Sequence, residues 1–174
     1  KYAYVVFCSD LAYSYEQAGL YKESVQTFLE ILEYSQKEYP KFLFKSIMNV
    51  GYAYNAPNTS EGRKMANVYF IKALDYLNEN SQADNNVDNY LDMLIMVLCN
   101  CNLLNNYHQT IEIANKYIKD WTYNDKDNKT DKLIEINNTR AQAYEKLDFY
   151  IPNSYEISGK IRKEILEYYE TYGK

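Results

Sequence analysis

Apolar side chains in this chain return every three or four residues, in one stretch after another. Little interrupts them, since 174 residues hold only 5 Gly and 3 Pro. That recurrence matches the helical turn, and no run alternates strictly enough to read as a half-buried strand. The fold class it dictates is all-α. The first stripe, Cys8, Leu11, Ala12 and Tyr15, belongs to a helix over about Tyr2 to Ala18, and Gly19 stops it. A second helix, about Tyr21 to Glu38, carries Val25, Phe28, Leu29 and Leu32. So short a link makes the two pack antiparallel.

The plan then repeats. Pro40 suits a helix start, where its missing N–H would have no partner anyway. The helix runs from near Lys41 to Tyr54, with Ile47, Val50, Gly51 and Tyr54 on one face. Asn55 to Ser60 is a loop by composition, and Ser60 is the expected N-cap of a helix over about Glu61 to Asn80. Ala66, Phe70, Ala73 and Leu74 form its stripe, and the polar Asn78 to Asn86 reads as a loop. A third pair starts near Val87. Leu91, Leu94, Val97 and Leu98 line its first helix, which ends around Asn105-Asn106, and its second spans about Tyr107 to Trp121. The strongly polar Asn124 to Asp131 is a solvated loop. A fourth pair covers about Asp131 to Leu147 and Asn153 to Tyr172. One domain over 1–174 is expected, with pairs near 2–38, 40–80, 87–122 and 131–172. A start at Lys1 without Met makes it the expected C-terminal part of a longer protein.

Two pairs share a spacing. The first reads Cys8-x-x-Leu11-Ala12-x-x-Tyr15 followed by Ser24-x-x-x-Phe28, and the second Ile47-x-x-Val50-Gly51-x-x-Tyr54 followed by Ala66-x-x-x-Phe70. Ala12, Gly51, Ser24 and Ala66 are small enough to let helix backbones approach, while Tyr and Phe fill the space between pairs. This pattern resembles the tetratricopeptide repeat. The third pair is degenerate (Leu94, Val97-Leu98, Cys101, then Thr110 and Ala114), and the fourth keeps only Ala141 and Tyr144. Tyr15 and Tyr54 stand 39 residues apart, beyond the usual ~34. Lone pairs cannot bury their faces, so the array must stack. The resemblance implies a right-handed α-solenoid of about four pairs. Long Tyr-, Asn- and Lys-rich pairs further resemble the cytoplasmic peptide-pheromone receptors of low-GC bacteria, the Rap, Rgg and PlcR type.

In such a stack the leading helices line the concave face. At 100° per residue the positions off the packing stripe are Tyr13, Glu16 and Gln17, then Asn49, Tyr52 and Asn55. In the third pair they are Met96, Cys99 and Asn102, and in the fourth Asn138, Gln142 and Glu145. A carboxamide offers both donor and acceptor, so Asn49, Asn102 and Asn138 would hold an extended peptide by its backbone, while Tyr13 and Tyr52 clamp its apolar side chains. The alternative is that these Asn are simply solvated.

Charge and composition exclude other classes. A net charge of -5 gives no footprint for a phosphate backbone, so direct nucleic-acid contact is not expected. No apolar run is long enough to span a membrane. Three Cys without disulfide spacing fit a reducing, cytoplasmic setting. The 21 Tyr bring large rings with polar tips, suited to semi-wet grooves. No catalytic device is legible. His108 is the only histidine and has no evident partner. Cys99 and Cys101 point to nearly opposite helix faces and cannot share a metal. Asp125 to Asp131 puts Lys129 and Thr130 where a calcium loop needs an oxygen ligand and a Gly. Glu30 with Glu33, and Glu164 with Glu167, lie on outward faces as solvated charge.

The expected function is a peptide- or protein-binding module without enzymatic activity, cofactor or metal. It would be the ligand-sensing part of a cytoplasmic transcriptional regulator of the quorum-sensing kind. The alternative is a scaffold for homodimerisation or assembly, with Tyr168, Tyr169 and Tyr172 offering an aromatic surface to a second copy.

Overall fold

A computed structural model of the chain describes residues 1–80, 87–118, 129–147 and 151–172. Among them it is all-helical, with eight α-helices and no strand: α1 (Tyr2–Gln17), α2 (Tyr21–Glu38), α3 (Leu43–Asn55), α4 (Ser60–Glu79), α5 (Val87–Leu103), α6 (Tyr107–Tyr117), α7 (Lys129–Lys146) and α8 (Ser154–Tyr172). The expected Asn78–Asn86 and Asn124–Asp131 loops and the Trp121 helix end lie wholly or partly outside the described residues. So does most of the rejected calcium loop. Two compact units form, Lys1–Gln82 and Ala83–Lys174, where the sequence reads as a single array.

The first unit holds two antiparallel pairs. α1 packs on α2, α2 on α3, and α3 on α4. Val5, Ala12, Phe28, Ile31, Val50 and Ala53 make its core. A buried hydrogen bond of 2.7 Å between the Ser35 and Ser46 hydroxyls ties α2 to α3. The close approach of α3 to α4 needs Gly51, because a Cβ there would sit 2.7 Å from the fully buried Phe70 ring. Two details differ from the sequence reading. Pro40–Phe42 forms a separate 3₁₀ turn before α3. The N-cap of α4 is Thr59, one residue before the expected Ser60: its extended backbone lets Oγ1 accept from the Gly62 amide at 3.0 Å.

In the second unit α5 packs on α6 and α7, α6 on α7, and α7 on α8. The buried Tyr90 hydroxyl donates to the Tyr117 carbonyl at 3.0 Å, joining α5 to α6. Ile134, Ala141, Ile161 and Ile165 close α7 on α8. The reversals after α1 and α5 are built alike. Gly19 N–H bonds Glu16 O and Leu20 N–H bonds Tyr15 O, while Asn105 N–H bonds Asn102 O and Asn106 N–H bonds Cys101 O, all within 2.8–2.9 Å.

Candidate binding groove

The first unit contains a groove between its two leading helices. α1 contributes Val6, Ser9, Asp10 and Tyr13, and α3 contributes Lys45 and Asn49. Tyr2 and Phe42 close one end of a space of about 250 Å³. The helices meet across it where the Tyr13 hydroxyl donates to Asn49 Oδ1 at a long 3.5 Å. Tyr13 is fixed by its ring, which stands edge-on to Phe28 at 5.2 Å. Matching the α1 and α5 reversals puts Cys99 where the first unit has Tyr13.

One polar group on each wall of the groove has no partner. Asn49 is 3% exposed, with Nδ2 unbonded, and Ser9 is 9% exposed, with Oγ unbonded. Each costs about 1–3 kcal/mol left that way, and Ser24 Oγ and Asn55 Oδ1 are two further buried, unbonded groups of the same unit. Burial, and then the negative charges of Glu16 and Asp10, raise the Tyr13 phenol above its ordinary value, so it stays a neutral donor. Burial likewise raises the Glu16 carboxyl. Asp10 and Lys45 are exposed at the rim, and the Lys45 ammonium lies over the Phe42 ring at 5.5 Å.

Of the residues expected on a concave face, the structure brings Tyr13 and Asn49 together. Gln17 is exposed at the end of α1. Tyr52 stands edge-on to Phe70 at 5.0 Å, and Asn55 keeps a buried, unbonded Oδ1 at the C-terminal end of α3. In the second unit the amides are differently employed. Asn102 accepts from Thr110 Oγ1 at 2.7 Å and donates to the Thr139 carbonyl at 3.4 Å, so both its ends brace α5 against α6 and α7. Glu145, expected on the trough wall, turns to α8 instead: Oε1 accepts from Ser158 at 2.7 Å and from Arg162 Nε at 2.8 Å. Those hydrogen bonds hold its carboxyl below the ordinary glutamate range. Asn138 and Met96 are half-buried and Gln142 is exposed. Burial, then the charge of Glu135, pushes the Cys99 thiol up, away from thiolate chemistry. His108 is exposed at the start of α6.

Sequence reasoning missed Ser9, Asp10 and Lys45. Ser9 and Lys45 sit one helical turn before Tyr13 and Asn49, so extending the same ridge by four residues would have found them. Among the described residues no three His, Cys, Asp or Glu side chains gather as a metal would need, and no helix is long and apolar enough to cross a membrane. No protein-family model matches the chain, and no curated protein matches it significantly.

Proposed function

We propose that the chain is a peptide- or protein-binding module of tetratricopeptide type, acting by binding and not by catalysis, and that the α1–α3 groove is where it holds an extended segment. The observation that carries this is the groove itself, with one buried, unbonded polar group behind each wall, Ser9 Oγ on α1 and Asn49 Nδ2 on α3. Both atoms are shut off from solvent in the empty groove, so its walls part for a peptide carbonyl to accept from the amide and for a peptide N–H or carbonyl to satisfy the hydroxyl. The volume is below that of a typical small-molecule pocket, which favours a few residues of an extended chain over a bulky metabolite. Asp10 and Lys45 at the rim add charge selection at either side. The resemblance to pheromone-receptor repeats extends the proposal to the sensing part of a cytoplasmic regulator, with the four pairs as one solenoid.

A library of short random peptides, read by thermal shift, tests the groove. A peptide at 100 times its Kd stabilises the native state by about 2.7 kcal/mol. Asn49→Ala and Ser9→Ala should each remove most of that shift. Peptides that bind with the shift unchanged in both variants would place the site elsewhere.

A further inference from the structure

The internal repeat exposes a second surface, on the face of α1 beside the groove. At the 39-residue offset, Ala12 aligns with Gly51 and Tyr13 with Tyr52. The equivalence is structural as well: Tyr13 meets Phe28 at 5.2 Å and 71°, and Tyr52 meets Phe70 at 5.0 Å and 69°. The same offset aligns Phe7, Leu11 and Ser14 with Ser46, Val50 and Ala53. On α3 all three are buried at the α2 boundary, with Ser46 bonded to Ser35 and with Val50 and Ala53 in one cluster with Ile31. On α1 all three are exposed, Phe7 at 69% and Leu11 at 39%. α1 therefore carries, in the register by which α3 packs on α2, an exposed apolar ridge with no charged residue among Phe7, Leu11 and Ser14.

The repeat itself says what fits there: a helix standing to α1 as α2 stands to α3, the second helix of a pair. α8 is the second helix of the last pair, and it has a matching uncovered flank. Ser154, Ser158, Ile161 and Ile165 are its buried stripe. The next stripe round, Tyr155, Gly159, Arg162, Leu166 and Tyr169, is exposed, with Tyr155 at 61% and Leu166 at 56%. Gly159 stands in mid-helix, where it costs about 1 kcal/mol against Ala, and no atom of the described residues lies within 4 Å of where its Cβ would be. Arg162 is neutralised by Glu145 and offers its stem as apolar cover.

We propose that α8 of one copy docks on α1 of a second copy, repeating between molecules the packing of α2 on α3 within one. The register follows from that model. Ser46 meets Ser35 near the end of α2, so its counterpart Phe7 lies toward Leu166 and Tyr169. Running antiparallel, Ser14 then faces Gly159, where both side chains are small and the backbones come closest. Such a contact is heterologous: each copy keeps one free face of each kind, so association ends in a closed ring or runs on as an open chain. This proposal stands independently of the groove.

Sedimentation equilibrium from about 10 µM to 1 mM, the regime of small interfaces, tests it on the full chain. The mean mass of the wild type should climb above the monomer as concentration rises. Phe7→Glu and Leu166→Glu each remove one face at an exposed position, and each alone should remain monomeric. Mixed in equal amounts they should form dimers and nothing larger, because each supplies the face the other lacks. Circular dichroism checks their helicity, and Leu11→Arg with Tyr169→Glu is a second pair for the same readout. A monomeric wild type at 1 mM, a single variant that still associates, or a mixture that stays monomeric overturns the proposal.

Discussion

Among the described residues, every helix pair contains one residue in the left-handed region: Gly19, Asn58, Asn105 and Asn153, with φ of 74°, 56°, 56° and 64°. Most side chains cost about 1–2 kcal/mol there, and Gly and Asn are the tolerated types. Gly19→Ala should therefore lower stability by about 1 kcal/mol although no atom lies near its Cβ, and Gly19→Asn should change it by a few tenths; urea titration separates the two. Gly19 was legible in the sequence as a stop, and the first helix of the third pair was expected to end around Asn105-Asn106. Asn58 and Asn153 do the same work, but Asn is so common in this chain that its presence at a turn carries little signal. Orphaned polar groups make a second residue-scale prediction. Ser9→Ala removes a buried hydroxyl that has no partner, so stability should hold or rise by up to about 1 kcal/mol while peptide binding falls. A thermal melt and a peptide titration on the same variant check both halves. Falling stability would mean that the hydroxyl already has a partner.

At the scale of elements, periodicity found all eight helices because each buries a stripe, and burial is what the 3.6-residue spacing records. It did not find which free face opens into a groove. α7 borders α5, α6 and α8, so little of its circumference is free, and Glu145 ends against α8 for that reason. Helix arithmetic fixes the angle between two residues and says nothing of where the neighbours stand. The Glu145 contact has its own pH consequence. The Arg162 and Ser158 hydrogen bonds lower its folded-state pKa, so the stabilisation is fully present above the ordinary glutamate value and is lost as pH falls through the lowered one. Both partners are part-exposed, and the contribution is at most about 1 kcal/mol. Glu145→Gln should lower stability at neutral pH and flatten that acid-side loss, as followed by urea midpoints below pH 5. Gly51→Ala is the sharper packing test. Alanine gains about 1 kcal/mol in helix propensity, but its Cβ would overlap a Phe70 ring that is fully buried and cannot retreat. Overpacking of this kind costs about 1–3 kcal/mol, so a net loss is expected, with the midpoint shifting down.

At the scale of the whole chain, the division into Lys1–Gln82 and Ala83–Lys174 was not legible. The polar stretch from Asn78 to Asn86 has the same texture as the other polar loops, and composition cannot tell a link within an array from a boundary between compact units. The division nevertheless decides where the groove belongs. Every residue lining it, from Tyr2 to Asn49, lies in the first unit, as do the ring contact that fixes Tyr13 and the core beneath. A fragment ending at Gln82 should thus fold by itself, with a helical spectrum and a cooperative melt. Its margin will be thin, since a domain of this size buries only about 60% of the surface its unfolded chain exposes. Peptides that bind the full chain should bind the fragment within about threefold, a difference under ~0.7 kcal/mol, because no contact they make is removed. A fragment that folds cooperatively yet fails to bind those peptides would show that the second unit supplies part of the site, and the groove between α1 and α3 would then be only one portion of a longer one.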